Sequence, residues 1–435
     1  MPRTLIRSFV AIFAAAQMLS ASATSSEAVQ TRVTDPSYSA LFQEVWRTVN
    51  ENFYDPNFHG MNWRAIGDRY RRQVASIRDD AAFSHLANTM LGGLHVSHLF
   101  LNPPSRDQSL GVGIGVTTET LGEDLVVIEV APLSDAQRQG VRVGDRILSP
   151  RRALYGPLGD TTTLEVRGCD GAQRTLTVRH EESSWPPQHP AFEWRQIAVR
   201  PGETVGYIHI DRFDDGAAEL ADRALDELKT TQGIIIDVRG GGGGNLSSLR
   251  LISYFSGPSK RAVALLARPY LAALGHPVTR TDIDGLSATR GAYTNAAIFQ
   301  AIRDGHGAAL YATEDMGPRR YQGSVVVVMG NRTGSAGEGF AAAMREYAGA
   351  KLVGRPTMGY VLSSDRFTLS GGWVLTIPVD GIWGPDGRDL GDVPTQPDVL
   401  VPRTAADLCL ANDPDLARAM DVLDAQLSSR PTPAR

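Results

Sequence analysis

Apolar residues recur at intervals of three and four in "YSALFQEVWRTVNENF" and again in "NWRAIGDRYRRQVASI". That spacing lines one face of a helix, so both stretches are expected to be amphipathic helices. A third helix, "DAAFSHLANTMLGGL", runs into "HVSHLFLNPPS", which reads as strand-like. Alternation there would put Val96 and His98 on one face and Ser97 and Leu99 on the other. Residues 30–105 are therefore expected to form a helical N-terminal domain. The pattern then changes to short β-type runs, "LGVGIGVTTE", "DLVVIEVAP", "DRILSP" and "TTTLEVRG…RTLTVRH", with a short helix "LSDAQRQG" among them. Glycine, proline and aspartate punctuate these runs, so 106–182 is expected to be a compact β-rich module. "EESSWPPQHP" follows as a linker.

From "TVGYIHI" onward strands alternate with helices: "AAELADRALDELKT", "GIIIDV", "LSSLRLISYF", "SVVVVMG", a helix after Ser335, "AKLVG" and "GWVLTIPV". Near-continuous apolar strands between helices predict an α/β domain with a buried sheet over 191–405. "DPDLARAMDVLDAQL" closes the chain as a helix within 406–430.

At 435 residues with 42% apolar and 21% charged positions, the composition is that of a globular protein of two or three domains. A net charge of −5 without any basic block gives no electrostatic case for nucleic acid. Arg3 and Arg7 precede an apolar segment from Phe9 to Leu19 and then Ala21-Ser22-Ala23. This is the layout of a signal peptide over 1–23, too short to span a bilayer, and predicts an exported, periplasmic or secreted protein with no later membrane segment. Cys169 and Cys409 are the only cysteines; export would permit a disulfide between them, but two cysteines make no framework, and isolated buried thiols are the preferred expectation. No metal-ligand spacing is present, and no cofactor is implied.

"TGSAGEGF" places Ser335 where a buried strand ends and a helix begins. With Glu338 three residues on, Ser335 can be a capping-box residue. The same position suits a nucleophile, because the helix N-terminus can stabilise an oxyanion. A hydrolase elbow is excluded: Thr333 stands at its first glycine, and the last histidine, His306, precedes Ser335. Of the three lysines, Lys229 and Lys260 are expected to be solvated, and Lys351 opens the strand after the Ser335 helix. A catalytic lysine would have to be desolvated to lower its pKa, which disfavours a lysine base. His98, beside His95, remains as a candidate base. "IIIDVRGGGGGNLSS" lacks the glycine register of a dinucleotide fingerprint and the GK[ST] of a P-loop. A glycine loop after a buried strand can, however, aim N–H groups at an oxyanion.

Taken in order, "VWRTVNENFYDPNFHGMNW", "LGVGIGV" with "APLSDAQRQGVRVGDRIL", "DVRGGGGGN", "TGSAGEGF…VGRPTMG" and "LTIPVDGIWGPDGRDL…QPDVLVP" resemble the C-terminal processing peptidases, and more closely their tricorn-core branch. The resemblance implies a ClpP/crotonase-like α/β core, a PDZ-like module at 106–182 and a serine peptidase acting on peptide or protein substrates. It makes Ser335 the nucleophile, His98 the base and Ser97 an orienting group, with N–H groups of Gly243 and Ala336 as the oxyanion hole. The processing peptidases carry a catalytic lysine where this chain has Tyr360, whereas Ser97-His98 matches the tricorn-like pair. The branch's orienting glutamate falls at Gly391, with Asp392 beside it as the substitute. A non-catalytic binding protein for a peptide or small apolar ligand on the same scaffold is the alternative.

Overall fold

The computed structural model describes residues 37–104, 112–185, 189–200, 203–241, 243–391 and 393–429. The signal-peptide expectation for 1–23 lies outside them. Its centre is a six-stranded sheet in the order Val399–Leu400, Lys351–Gly354, Ser324–Met329, Gly233–Asp237, Glu203–Ile210 and Phe192–Arg200. All neighbours are parallel except the last pair. Both faces of this sheet are covered, which is why "GIIID" and "SVVVVM" are apolar throughout. Side chains alternate between two cores. Ile234 and Ile236 meet the helices Ala217–Leu228, Ser248–Ser256 and Ala336–Ala348, whereas Ile235 meets Ala419 and Leu423 of the closing helix Pro414–Ser428.

A second sheet has the order Phe100–Asn102, Val374–Trp383, Arg261–Ala267, Ala308–Ala312 and Ala288–Thr289, with Ser363–Thr368 paired to the long second strand. The helices Tyr38–Asn52, Trp63–Val74 and Asp80–Gly92 pack on it: Phe42, Phe83 and Met90 share one core with Leu266, Leu310, Leu375 and Ile377. Three residues of the N-terminal segment, Phe100 to Asn102, pair antiparallel with Val374 to Thr376. This short pairing fixes the chain just after His98 to the rest of the molecule.

Strands Val116–Leu121, Asp124–Val130, Arg146–Ile147, Thr161–Arg167 and Gln173–Arg179 form a five-stranded antiparallel sheet around a small core of Ile114, Val127, Leu164, Val166 and Val178. The helix Asp135–Arg138 closes it, capped by Ser134. Contrary to the expectation of isolated thiols, Cys169 and Cys409 are joined as a disulfide across a sequence separation of 240 residues. Cys169 lies in the turn between the last two strands, not in a strand, and Cys409 ends the helix Ala405–Cys409. Gly144, at φ 89°, makes room for the bridge. A Cβ there would lie 2.6 Å from Cys169 Sγ and 2.9 Å from Cys409 Sγ. Among the described residues no helix is long and apolar enough to cross a membrane.

Candidate active site

The strand Ser324–Met329 ends at a turn whose central support is Thr333. Its buried hydroxyl donates to the Val238 carbonyl at 2.8 Å and accepts the Gly330 N–H at 3.0 Å. One side chain thus ties together the ends of two neighbouring strands. Ser335 follows at φ 53°, ψ −122°, outside the helical region that begins at Ala336. A non-glycine residue at such a φ is held there by its surroundings. Those surroundings are specific. Ser335 N–H donates to the Tyr360 carbonyl at 2.7 Å and to Glu338 Oε1 at 3.2 Å. The capping box is therefore formed, and the helix Ala336–Ala348 starts immediately after Ser335. Ser335 thus stands at the head of a helix, where first-turn N–H groups are without intrahelical partners.

Glu338 does more than cap. Its carboxylate is 1% exposed and accepts from Gly359 N–H at 2.7 Å, Tyr360 N–H at 2.6 Å and the Thr357 hydroxyl, besides Ser335 N–H. A buried carboxylate with four donors fixes the 357–360 loop against the turn. The only sequence signal for this was its place three residues after Ser335.

The glycine loop is anchored from behind. Arg239 pairs with Asp237 at 2.6 Å, Asp413 at 2.7 Å and Asp415 at 3.1 Å, and Asp415 also meets Arg355. Burial pushes the Asp237 carboxyl up, but the Arg239 guanidinium outweighs it and holds the group below the usual carboxylate range. Gly240 lies so close to the Asp211 carboxylate that a Cβ would sit 1.5 Å from Oδ1. Gly241 accepts the Gly334 N–H at 2.9 Å, which joins this loop to the Ser335 turn. Gly243 pairs with Arg212 two residues later, and Ala336 opens the helix. The Asp211 carboxylate lies 3.1 Å from His209 Nε2, and this pairing raises the imidazole above its ordinary value.

Ser97 and His98 are side by side. Ser97 is buried, and its Oγ lies 3.0 Å from His98 Nδ1. The strand alternation read from the sequence does not hold. The strand starts only at Phe100, and His95 and His98 have φ of 53° and 57°, so the chain turns at each histidine. The His98 ring meets the Tyr360 ring edge-on, centroids 6.2 Å apart. Ser335 and His98, far apart in sequence, thus both contact Tyr360, one through its backbone and one through its ring. All three lysines are exposed. Gly391 packs tightly, as a Cβ there would be 3.0 Å from Leu362 Cδ2. Asp392 lies outside the described residues. Among the described residues no group of three or more His, Cys, Asp or Glu could hold a metal.

The profile of peptidase family S41 matches residues 204–401, and that of the tricorn protease C1 domain matches residues 35–92. The chain carries a peptidase S41 domain. It is a serine-type peptidase. The chloroplastic C-terminal processing peptidase of Tetradesmus obliquus is 25% identical over 391 residues, covering 82% of this chain and 76% of that protein. Tricorn protease homolog 1 of Streptomyces coelicolor is also 25% identical and covers 90% of this chain, but the chain spans only 35% of that protein. Among solved structures, the photosystem II D1 C-terminal processing protease has a TM-score of 0.51 at 19% identity, over 89% of this chain and 97% of that one. Mature CPAF has a TM-score of 0.62 at 12% identity, over 90% and 97%. These likenesses establish a mixed α/β fold shared with S41 peptidases.

The five-stranded module of this peptidase reaches the Ser335 turn directly. Asn331 Nδ2 donates to Glu119 at 2.7 Å, and Arg332 pairs with Glu129 at 2.6 Å. Sequence reading offered no sign of this contact, because polar pairs between residues 212 and 203 positions apart leave no periodic trace.

Proposed function

We propose that the protein hydrolyses peptide bonds through an acyl-enzyme on Ser335, with His98 as general base. Ser97 Oγ accepts from His98 Nδ1–H and orients the ring, so that Nε2 takes the Ser335 hydroxyl proton. Oγ attacks the scissile carbonyl carbon, and the carbonyl π electrons move to oxygen. N–H groups of Gly243 and Ala336 hold that oxyanion. Collapse restores the carbonyl and expels the amine, which takes the proton from His98. Water then repeats the sequence on the ester and frees Ser335. Asp392 is the group proposed to orient Ser97, and the domain limits are those expected from the sequence. The core is read as ClpP/crotonase-like and the β module as PDZ-like. The substrate is a peptide or protein, and the protein is exported.

The observation that carries this reading is the convergence on Tyr360, which brings the Ser335 turn and the His98 ring to one residue. Exposure of every lysine supports a histidine base over an amine, which needs burial to lose its proton near neutrality. Turnover of an unstructured protein substrate by Ser335→Ala and His98→Ala tests it. Each variant is expected to lose about 10³-fold or more in kcat while unfolding at the wild-type temperature. Wild-type turnover by Ser335→Ala would leave the scaffold as a binding protein.

A further inference from the structure

We propose that Tyr360 is a positioning residue for the His98 base, a role its ring performs. The proposal rests on the Ser335–His98 reading above. Tyr360 is fixed to the nucleophile turn by its own backbone at both ends of the residue. Its carbonyl accepts Ser335 N–H at 2.7 Å, and its N–H donates to Glu338 Oε1 at 2.6 Å. The preceding Gly359 has φ 76° and packs on Pro394, where a Cβ would come within 2.9 Å. Any movement of the Ser335 turn therefore carries Tyr360 with it.

From that anchored backbone the side chain extends to the His98 ring, at 6.2 Å between centroids and 64° between planes. Edge-to-face aromatic contacts of this kind are directional, so they restrain ring orientation as well as distance. The imidazole is then held in two ways: by Ser97 Oγ on Nδ1 and by the phenol ring against its side. Such restraint matters because His98 comes from a turn attached to the second sheet, whereas Ser335 lies in the turn that follows a strand of the first. A base and nucleophile on separate sheets need a link if Nε2 is to stay aimed at Oγ. Tyr360 is itself 50% exposed, so core packing does not explain its placement. A half-exposed ring can be removed without opening the core.

The test uses the full chain with Tyr360→Phe, Tyr360→Leu and Tyr360→Ala. A fluorophosphonate probe reports the rate of Ser335 modification, steady-state kinetics give kcat and KM, and ¹³C-histidine labelling reports the His98 Cε1–H resonance. Tyr360→Phe is expected to stay within about 3-fold of wild type and to keep the ring-current shift of His98. Tyr360→Leu and Tyr360→Ala are expected to lose about 10–10²-fold in labelling rate and kcat, with KM nearly unchanged and the ring-current shift gone. Labelling of Tyr360→Leu at the wild-type rate would overturn the proposal while leaving the Ser335 reading intact. So would a Tyr360→Phe as slow as Tyr360→Leu, since the hydroxyl rather than the ring would then matter. A wild-type protein that takes no adduct at Ser335 would instead overturn both.

Discussion

Glu338 shows how one residue can serve structure and site together. In the sequence it is the fourth residue of a capping box. In the structure its carboxylate also collects the Thr357 hydroxyl and the N–H groups of Gly359 and Tyr360. Glu338→Ala would leave these buried donors without an acceptor, at roughly 1–3 kcal/mol for each one not rescued by water. Chemical denaturation should therefore show a loss of about 3 kcal/mol or more, and turnover should fall with it. A variant as stable as wild type would mean that the 357–360 loop does not depend on this carboxylate. The position of Ser335 between a buried strand and a helix was legible in the sequence, because an apolar run, a glycine-rich turn and a capping-box spacing follow one another there. The pairing of Ser97 with His98 was named there only through family likeness. Alternation put them on opposite faces, and the left-handed turn at His98 that brings them together has no local signature, histidine being only mildly tolerant of that φ.

At the scale of elements, periodicity was sufficient wherever burial is one-sided or complete. "GIIID" and "SVVVVM" were read as strands and are strands. The antiparallel strands Arg261–Ala267 and Ala308–Ala312 were not read at all, because "AVALLA" and "AALYA" are as compatible with helix as with strand and only their partners decide. The strand Val374–Trp383 carries a further consequence. Its Asp380 is 3% exposed, with the Ser363 hydroxyl donating at 3.0 Å. Burial, reinforced by Asp365 and opposed by Ser363, pushes the carboxyl up to about 6. A raised folded-state value means that the native protein binds the proton more tightly than the unfolded chain. Stability contributed by this group is thus present at low pH and is lost as pH rises from about 4 through 6. Asp380→Asn cannot lose it. The variant's stability relative to wild type should grow by on the order of 2–3 kcal/mol between pH 4 and pH 7, measured by urea unfolding at each pH. A difference that stays flat across that range would show that Asp380 titrates normally.

For the whole molecule, the β module is bound to the rest by polar contacts and one covalent link. Glu119 and Glu129 meet the residues just before Ser335, and the Cys169–Cys409 bridge joins the module's last turn to the segment before the closing helix. The sequence could not reveal the bridge. Two cysteines so far apart carry no spacing signal, and it is Gly144 that makes the room. Because the bridge closes a very long loop, reduction or Cys169→Ser should lower the unfolding free energy by about 2–5 kcal/mol. Equal stability of oxidised and reduced protein would show that the polar contacts alone hold the module. The proposed centre at Ser335 can be addressed directly. Wild-type protein treated with a fluorophosphonate, then digested and mapped by mass spectrometry, should carry a single adduct on Ser335. That adduct should be absent from Ser335→Ala and strongly slowed in His98→Ala. No adduct, or one on another residue, would contradict the assignment of Ser335 as the nucleophile.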